Sequence, residues 1–353
     1  MSVKKYYVTG NTAKGMVNFL DDNVIGLHQV IVLQHVSHTV KTAILKQLIY
    51  AWEHKYELEV LLSPFGHKYI EGVIVREQSF AIVTEESMTT KRSCATPFTL
   101  RNYIDPHIDH KRMRCVQRNI DEWMAKAYDD FSVGLKIHDD LEAVYIKQMD
   151  FSKADALAEQ LIQDLLTDVD KRKQTAKVFR RLFGTNTSDG VVNVVPQLLA
   201  ERDKNYYLKG RAGTGKSTFM KRVVTACQDY GLDLELYHCS FDPNSIDMVI
   251  VPDLNVSIFD STNPHEFFPK YAGDEIIDLY EKTVTPGTDE KYAEEIERIT
   301  KHYKSYMKAG MGKLTKAGRL LDEFESAFTF RYEDIQVATV DLVEKHHLLP
   351  VTY

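Results

Sequence analysis

The chain is short of cysteine, of long apolar runs and of positive charge, and each shortage removes a class of protein. Four cysteines stand among 353 residues, Cys94, Cys115, Cys227 and Cys239, without the close spacing of a metal site. They read as reduced thiols, and the expected location is cytoplasmic. No run is apolar for long enough to span a bilayer, and Met1-Ser2-Val3-Lys4-Lys5-Tyr6-Tyr7 lacks the apolar core of a secretory signal. No membrane partner is therefore expected. Lys and Arg number 44 against 51 Asp and Glu, for a net charge of −7 and a pI near 6.0. That balance argues against nucleic acid as the main partner. No Pro/Gly/Ser-rich linker divides the chain, although its length suffices for two domains.

What is present is one dense motif. Gly210-Arg211-Ala212-Gly213-Thr214-Gly215-Lys216-Ser217 fits G-x-x-x-x-G-K-[ST], the phosphate-cradling P-loop. Tyr206-Tyr207-Leu208 before it reads as a strand, and the segment from Thr218 to Val224 as an amphipathic helix. Glycines let backbone N–H groups turn toward phosphate oxygens without a Cβ in the way, and a helix N-terminus adds unpaired donors. The expected nucleotide-binding set is Gly210, Ala212, Gly213, Thr214, Gly215, Lys216, Ser217 and Thr218. Lys216 would reach the β- and γ-phosphates, and the Ser217 hydroxyl would ligate Mg²⁺.

The chain also repeats itself. At an offset of 175 residues, Asn11-Thr12-Ala13-Lys14-Gly15 falls on Asn186-Thr187-Ser188-Asp189-Gly190, and Lys41 on Lys216. At an offset of 176, Leu58-Glu59-Val60 falls on Leu234-Glu235-Leu236 and Ile70–Val75 on Ile246–Val251. Two tandem P-loop NTPase-like α/β domains are expected, residues 1–175 and 176–353, each a parallel sheet followed by C-terminal helices. The first copy reads His35-Val36-Ser37-His38-Thr39-Val40-Lys41-Thr42 at the loop, keeping the lysine and losing the glycines. It is expected to be degenerate, because β-branched Val40 resists positive φ. His28, His35 and His38 read as packing residues rather than metal ligands.

A P-loop needs a carboxylate at the end of a neighbouring strand. Asp260, closing Val256-Ser257-Ile258-Phe259, is the first choice, and Thr84 replaces it in the first copy. Asp253 is second. Asp247 keeps an acid in the first copy, Glu71, and reads as structural. Asp242 faces Gly66 and is a candidate for activating water or a substrate hydroxyl. Lys216, Asp242 and Asp260 form the expected catalytic set, with Ser217 and Asp260 on the metal. Thr262 and His265 follow Asp260 and read equally well as phosphate sensors or as turn residues. The Asn-Thr-x-x-Gly turn, kept in both copies, fits a fold-defining role.

Helical patterns cover Arg118 to Phe131, Asp139 to Lys147 and Lys153 to Leu166 in the first copy. In the second they cover Glu290 to Ala309, Leu314 to Phe328 and Glu333 to Lys345. Arg298, Lys301, Lys304 and Lys308 share helical spacing, either a lid face or a solvated basic face balanced by glutamates. The charged run Lys171-Arg172-Lys173-Gln174 reads as a helix continuing into the second copy, so close packing of the halves is expected.

The doubled layout resembles a bacterial family of tandem P-loop ATPase-like proteins, whose members are labelled ATPase or nucleotide-kinase-like. The resemblance rests on Asn-Thr-x-x-Gly ahead of each loop, on Cys239-Ser240-Phe241-Asp242-Pro243-Asn244-Ser245-Ile246-Asp247 and on Asp260-Ser261-Thr262-Asn263-Pro264-His265. In that family the first copy is normally the better P-loop, and His35, His38 and Val40 depart from it. The implied ligands are ATP or another NTP and Mg²⁺, with a further small-molecule or protein partner left open. Three functions follow. One is an ATPase with a single competent site in the later half, which Arg92, Arg112 or Arg114 would complete from the other. Another is a small-molecule or nucleotide kinase with residues 288–330 as lid and Asp242 as base. The last is a nucleotide-gated scaffold with little turnover.

Overall fold

The repeat reappears in space as two six-stranded sheets with one strand order. The computed structural model describes residues 2–88, 95–104 and 110–351. The first copy runs β1 (Val3–Tyr7), the hairpin β2 (Thr9–Thr12) and β3 (Gly15–Asn18), α1 (Leu20–Asn23), β4 (Gln29–Gln34), α2 (His38–Trp52), β5 (Leu58–Leu62), β6 (Ile70–Val75), β7 (Phe80–Thr84), β8 (Ala95–Thr99), α3 (His110–Ile146) and α4 (Phe151–Leu166). The second runs β9 (Val178–Arg181), the hairpin β10 (Gly184–Thr187) and β11 (Gly190–Asn193), α5 (Val195–Ala200), β12 (Lys204–Lys209), α6 (Lys216–Asp229), β13 (Leu234–His238), β14 (Ile246–Val251), β15 (Val256–Asp260), β16 (Glu275–Asp278), α7 (Leu279–Thr283), α8 (Thr288–Lys291), α9 (Ala293–Glu325) and α10 (Tyr332–Lys345).

The strand orders are β1-β5-β6-β7-β4-β8 and β9-β13-β14-β15-β12-β16. The expectation of purely parallel sheets is corrected in one strand of each. β6 runs antiparallel to β5 and β7, and β14 to β13 and β15. The cause is chain length. Residues 63–69 join β5 to β6, and one 3₁₀ turn, Arg76–Gln78, joins β6 to β7. Neither can hold the crossover that parallel neighbours require.

One face of each sheet looks toward the other copy. Tyr6, Val32 and Ile74 share a buried cluster with Tyr207, Tyr237 and Ile250, and with Val195 and Leu198 of α5. The two sheets touch edge to edge where Tyr7 and Leu182 exchange backbone hydrogen bonds of 3.0 and 2.9 Å. The opposite faces carry helices, and the copies trade them. Ala158 and Leu161 of α4 pack with Phe219 and Val223 of α6 on the second sheet. Ile335, Ala338 and Leu342 of α10 pack with Ile44 and Leu48 of α2 on the first. Residues 168–177 are not helical. Arg172 donates its N–H to the Tyr230 carbonyl at 2.9 Å, and Gln174 Nε2 to the Gly231 carbonyl at 3.0 Å, so this strap crosses the second copy's surface.

The helix pairs expected around residues 131–139 and 309–314 are single rods, α3 and α9, packed antiparallel. Gly134 and Gly310 sit where the rods come close. A Cβ on Gly310 would lie 2.4 Å from the Phe131 ring, and one on Gly134 3.4 Å from Tyr306 Cβ. Close helix contact, not chain reversal, explains these glycines. Arg298, Lys301, Lys304 and Lys308 lie on the solvated side of α9.

Candidate functional site

The glycine-rich segment leaves β12 and enters α6. Gly213 and Gly215 take φ of +75° and +76°, the left-handed region open to glycine. A Cβ on Gly210 would lie 2.3 Å from Thr214 Oγ1, so this position also needs glycine. Thr214 Oγ1 donates to the Arg211 carbonyl at 2.8 Å and draws the loop into a tight turn. Among the described residues no protein acceptor faces the N–H groups of Ala212, Gly213, Gly215, Lys216, Ser217 or Thr218. The loop therefore presents a ring of unpaired donors at a helix N-terminus.

Lys216 is 8% exposed. Its Nζ donates to the Arg211 carbonyl at 2.7 Å and lies 3.7 Å from Asp260 Oδ2. Asp260 ends β15, next to β12 in the sheet, which brings the two together. Burial raises the Asp260 carboxyl above its ordinary pKa; the Lys216 charge opposes this and Asp247 adds to it. Thr262 Oγ1 donates to Asp260 Oδ1 at 2.6 Å. His265 Nδ1 lies 3.0 Å from the Asp260 carbonyl oxygen and Nε2 3.6 Å from Asp247 Oδ2. Burial alone would lower the His265 pKa, but the bond and charge of Asp247, with Asp260, raise it. Asp247, read as structural, thus stands beside Asp260; its signal was an acid kept in both copies. Asp253 instead pairs with Arg172 at 2.8 Å on the surface.

Oxygen donors suit Mg²⁺, and Ser217 Oγ and Asp260 supply them. Ser217 Oγ accepts the Ile246 N–H at 3.0 Å, which fixes the hydroxyl between α6 and β14. Asp242 has no bond to Lys216 or Asp260. It lies 3.5 Å from Lys14 Nζ, and its Oδ1 accepts the Asn244 N–H at 3.1 Å.

The first copy roofs this loop with α3. A Cβ on Gly213 would lie 2.5 Å from the Glu142 carbonyl oxygen, and one on Gly215 3.6 Å from Met149 Cε. Ala212 packs among Tyr145, Tyr280, Tyr292 and Ile296. Burial raises the Glu142 pKa, with Asp139 and Asp242 adding and Lys216 opposing. Burial lowers that of His138, 3.6 Å from Glu142. These α3 residues carry no sequence signal, because only the exchanged packing brings them here. Arg114 lies beside the first loop instead. Arg92 and the Arg112 side chain lie outside the described residues.

At the first loop every corresponding donor has a partner. Without glycines, α2 begins at His38, the position matching Gly213, whereas α6 begins at Lys216. The corresponding segment is helix here, and Glu325 of α9 caps it from the other copy. His38 and Thr39 donate their N–H groups to the Glu325 carboxylate at 2.7 and 3.1 Å, and Ser37 Oγ donates to it at 2.5 Å. Val40 N–H donates to Ser37 Oγ at 3.2 Å. Lys41, wholly buried, pairs with Glu86. Glu325 and Met149 lie 176 residues apart, so the approach made by a carboxylate here is made by a thioether at the second loop. His35 is buried, its Nε2 3.3 Å from the Ile104 carbonyl oxygen, and His38 packs on Phe65. Among the described residues no group of three His, Cys, Asp or Glu side chains could hold a metal, and no helix is long and apolar enough to cross a membrane. Compared with known proteins, the chain matches no family model, no curated protein and no solved structure.

Proposed function

We propose that the chain is a Mg²⁺-dependent, ATP-binding P-loop protein with one competent loop, residues 210–218, and that it hydrolyses the nucleotide. The observation that carries this reading is the contrast between the loops. The later one leaves N–H groups unpaired beside Lys216 and Asp260; at the earlier one the corresponding donors are taken by Glu325 of the other copy, by Ser37 and by the helix itself. A polyphosphate offers what the later loop lacks, oxygen acceptors for a ring of amides and negative charge for a buried lysine. Mg²⁺ would sit between Ser217, the phosphates and the Asp260 side. Its chemistry is charge neutralisation on the phosphates. Lys216 would leave the Arg211 carbonyl for phosphate.

A nucleotide-gated switch is the second reading. The α3 backbone rests on Gly213, so seating a nucleotide there involves the other copy. The kinase reading loses its lid, because α9 is packed along α3 rather than hinged.

The test is incubation with ATP and Mg²⁺ while ADP and free phosphate are followed. Both rising together supports hydrolysis, and tight binding with neither supports the switch. Lys216→Ala is expected to weaken nucleotide binding by about a hundredfold or more, as loss of a buried charge-assisted contact should. Lys41→Met should leave affinity unchanged. Equal losses from the two would overturn the proposal.

A further inference from the structure

Beside the first loop lies a cavity of about 610 Å³, between the ends of α3 and α9. Its apolar lining includes Val36, Phe65, Ile120, Met124, Leu321 and Phe324. This volume falls within the range of small-molecule sites, and water-facing apolar walls of this extent are unfavourable unless covered.

The internal repeat says what the cavity corresponds to. Leu321 and Ile120 lie 176 residues from Tyr145 and Ile296, which pack around Ala212 of the later loop. Tyr292 of that cluster has Val116 as its counterpart. The same place in the fold is therefore filled by Tyr145 in one copy and left open by Leu321 in the other. Loss of the phosphate cradle and opening of this space occur together, at one end of one helix pair.

Its polar groups differ in kind from a phosphate site. Glu85, Glu86 and Asp121 line it, with Arg114 the one Lys or Arg side chain among the described residues that do. Lys41 takes one of the lone-pair sites of Glu86, and a carboxylate has about four. His38 also faces the cavity, and among the described residues neither ring nitrogen is hydrogen-bonded. Acidic groups on the wall of an apolar chamber match a ligand of opposite charge.

We infer that the first copy is a binding site for a small, mostly apolar molecule with a cationic amine head, seated between α3 and α9 with the head toward Glu86 and His38. The inference does not depend on nucleotide binding at the later loop.

The experiment uses the full chain and the neutral fluorophore N-phenyl-1-naphthylamine, displaced in turn by octylamine and by octanoate. Saturable binding of one dye per chain is expected, with octylamine displacing at about tenfold lower concentration than octanoate because the acidic head site rejects a carboxylate. Met124→Trp fills the chamber from its floor and Ala125→Trp from its rim, and both should abolish dye binding. Lys216→Ala should leave it intact. No saturable binding, or octanoate competing as well as octylamine, would overturn the inference. So would wild-type dye affinity in both tryptophan variants with circular dichroism showing them folded; if Met124→Trp does not fold, Ala125→Trp alone decides.

Discussion

Asn11 and Asn186 hold each other's backbone. The side-chain amide of Asn11 donates to the Asn186 carbonyl at 2.8 Å, and that of Asn186 to the Asn11 carbonyl at 3.0 Å. They lie 175 residues apart, so each is the other's counterpart, and the contact has the self-complementary form of a two-fold interface within one chain. Both are buried. Replacing either by alanine strands a buried carbonyl and should cost about 1–3 kcal/mol. The double variant should lose less than the sum, with a coupling of about 0.5–3 kcal/mol. Urea denaturation of the four proteins measures this, and strict additivity would show the pair to be independent.

This pair also shows how far the sequence could be read. The repeat and the later loop were legible because glycine at 213 and 215 and asparagine at 11 and 186 are demanded by local geometry that tolerates few other residues. Lys216 and Asp260 were legible as a pair because each ends or follows a strand whose pattern is plain. The reversal of β6 and β14 was hidden in connection length, since a buried strand reads the same in either direction. The roles of Glu142, Met149 and Glu325 were beyond reach. They arise from helices exchanged between copies, and nothing near those residues marks the partner.

Arg181 is the charged counterpart of this symmetry. It is 1% exposed and lies 3.1 Å from Glu59 and 2.9 Å from Glu235, themselves equivalent positions. Burial would raise both carboxyls, but the Arg181 charge prevails, with Arg76 on Glu59 and Lys4 on Glu235, and holds each at about 2. Their stabilisation is present above the ordinary carboxylate range and is lost as pH falls toward about 2. Arg181→Met leaves two buried carboxylates without their shared cation and should cost about 3–5 kcal/mol at neutral pH. The deficit should shrink as pH falls through that window, as measured by denaturation at several pH values. A deficit independent of pH would assign the loss to packing.

Glu325 makes a separable prediction. Glu325→Ala removes the acceptor of two N–H groups and one hydroxyl at the start of α2, a loss of about 1–3 kcal/mol for buried donors left unpaired. The later loop lies at the other end of α9, so nucleotide affinity there should stay within about twofold, well under one kcal/mol. Thermal melts with and without ATP and Mg²⁺ read both quantities. An unchanged melting temperature would mean that the carboxylate is not a cap.

Glu71 turns the repeat into a pH dependence. It is 3% exposed, with Thr9 and Ser63 hydroxyls as partners. Burial, with Glu86 adding, pushes its carboxyl up to about 8, against the opposing bonds of Thr9 and Ser63. Its counterpart Asp247 has His265 beside it instead. Between the ordinary carboxylate pKa and about 8, the folded chain holds a proton that the unfolded chain has released. The Glu71 contribution therefore weakens as pH rises through that window, by up to about 1.4 kcal/mol per pH unit, and levels off above it. Glu71→Gln keeps the shape of the protonated acid and removes this slope. Relative to wild type, the variant should gain stability steadily from pH 5 to pH 8, read from urea midpoints. A constant difference between the two proteins across that range would place the titration elsewhere.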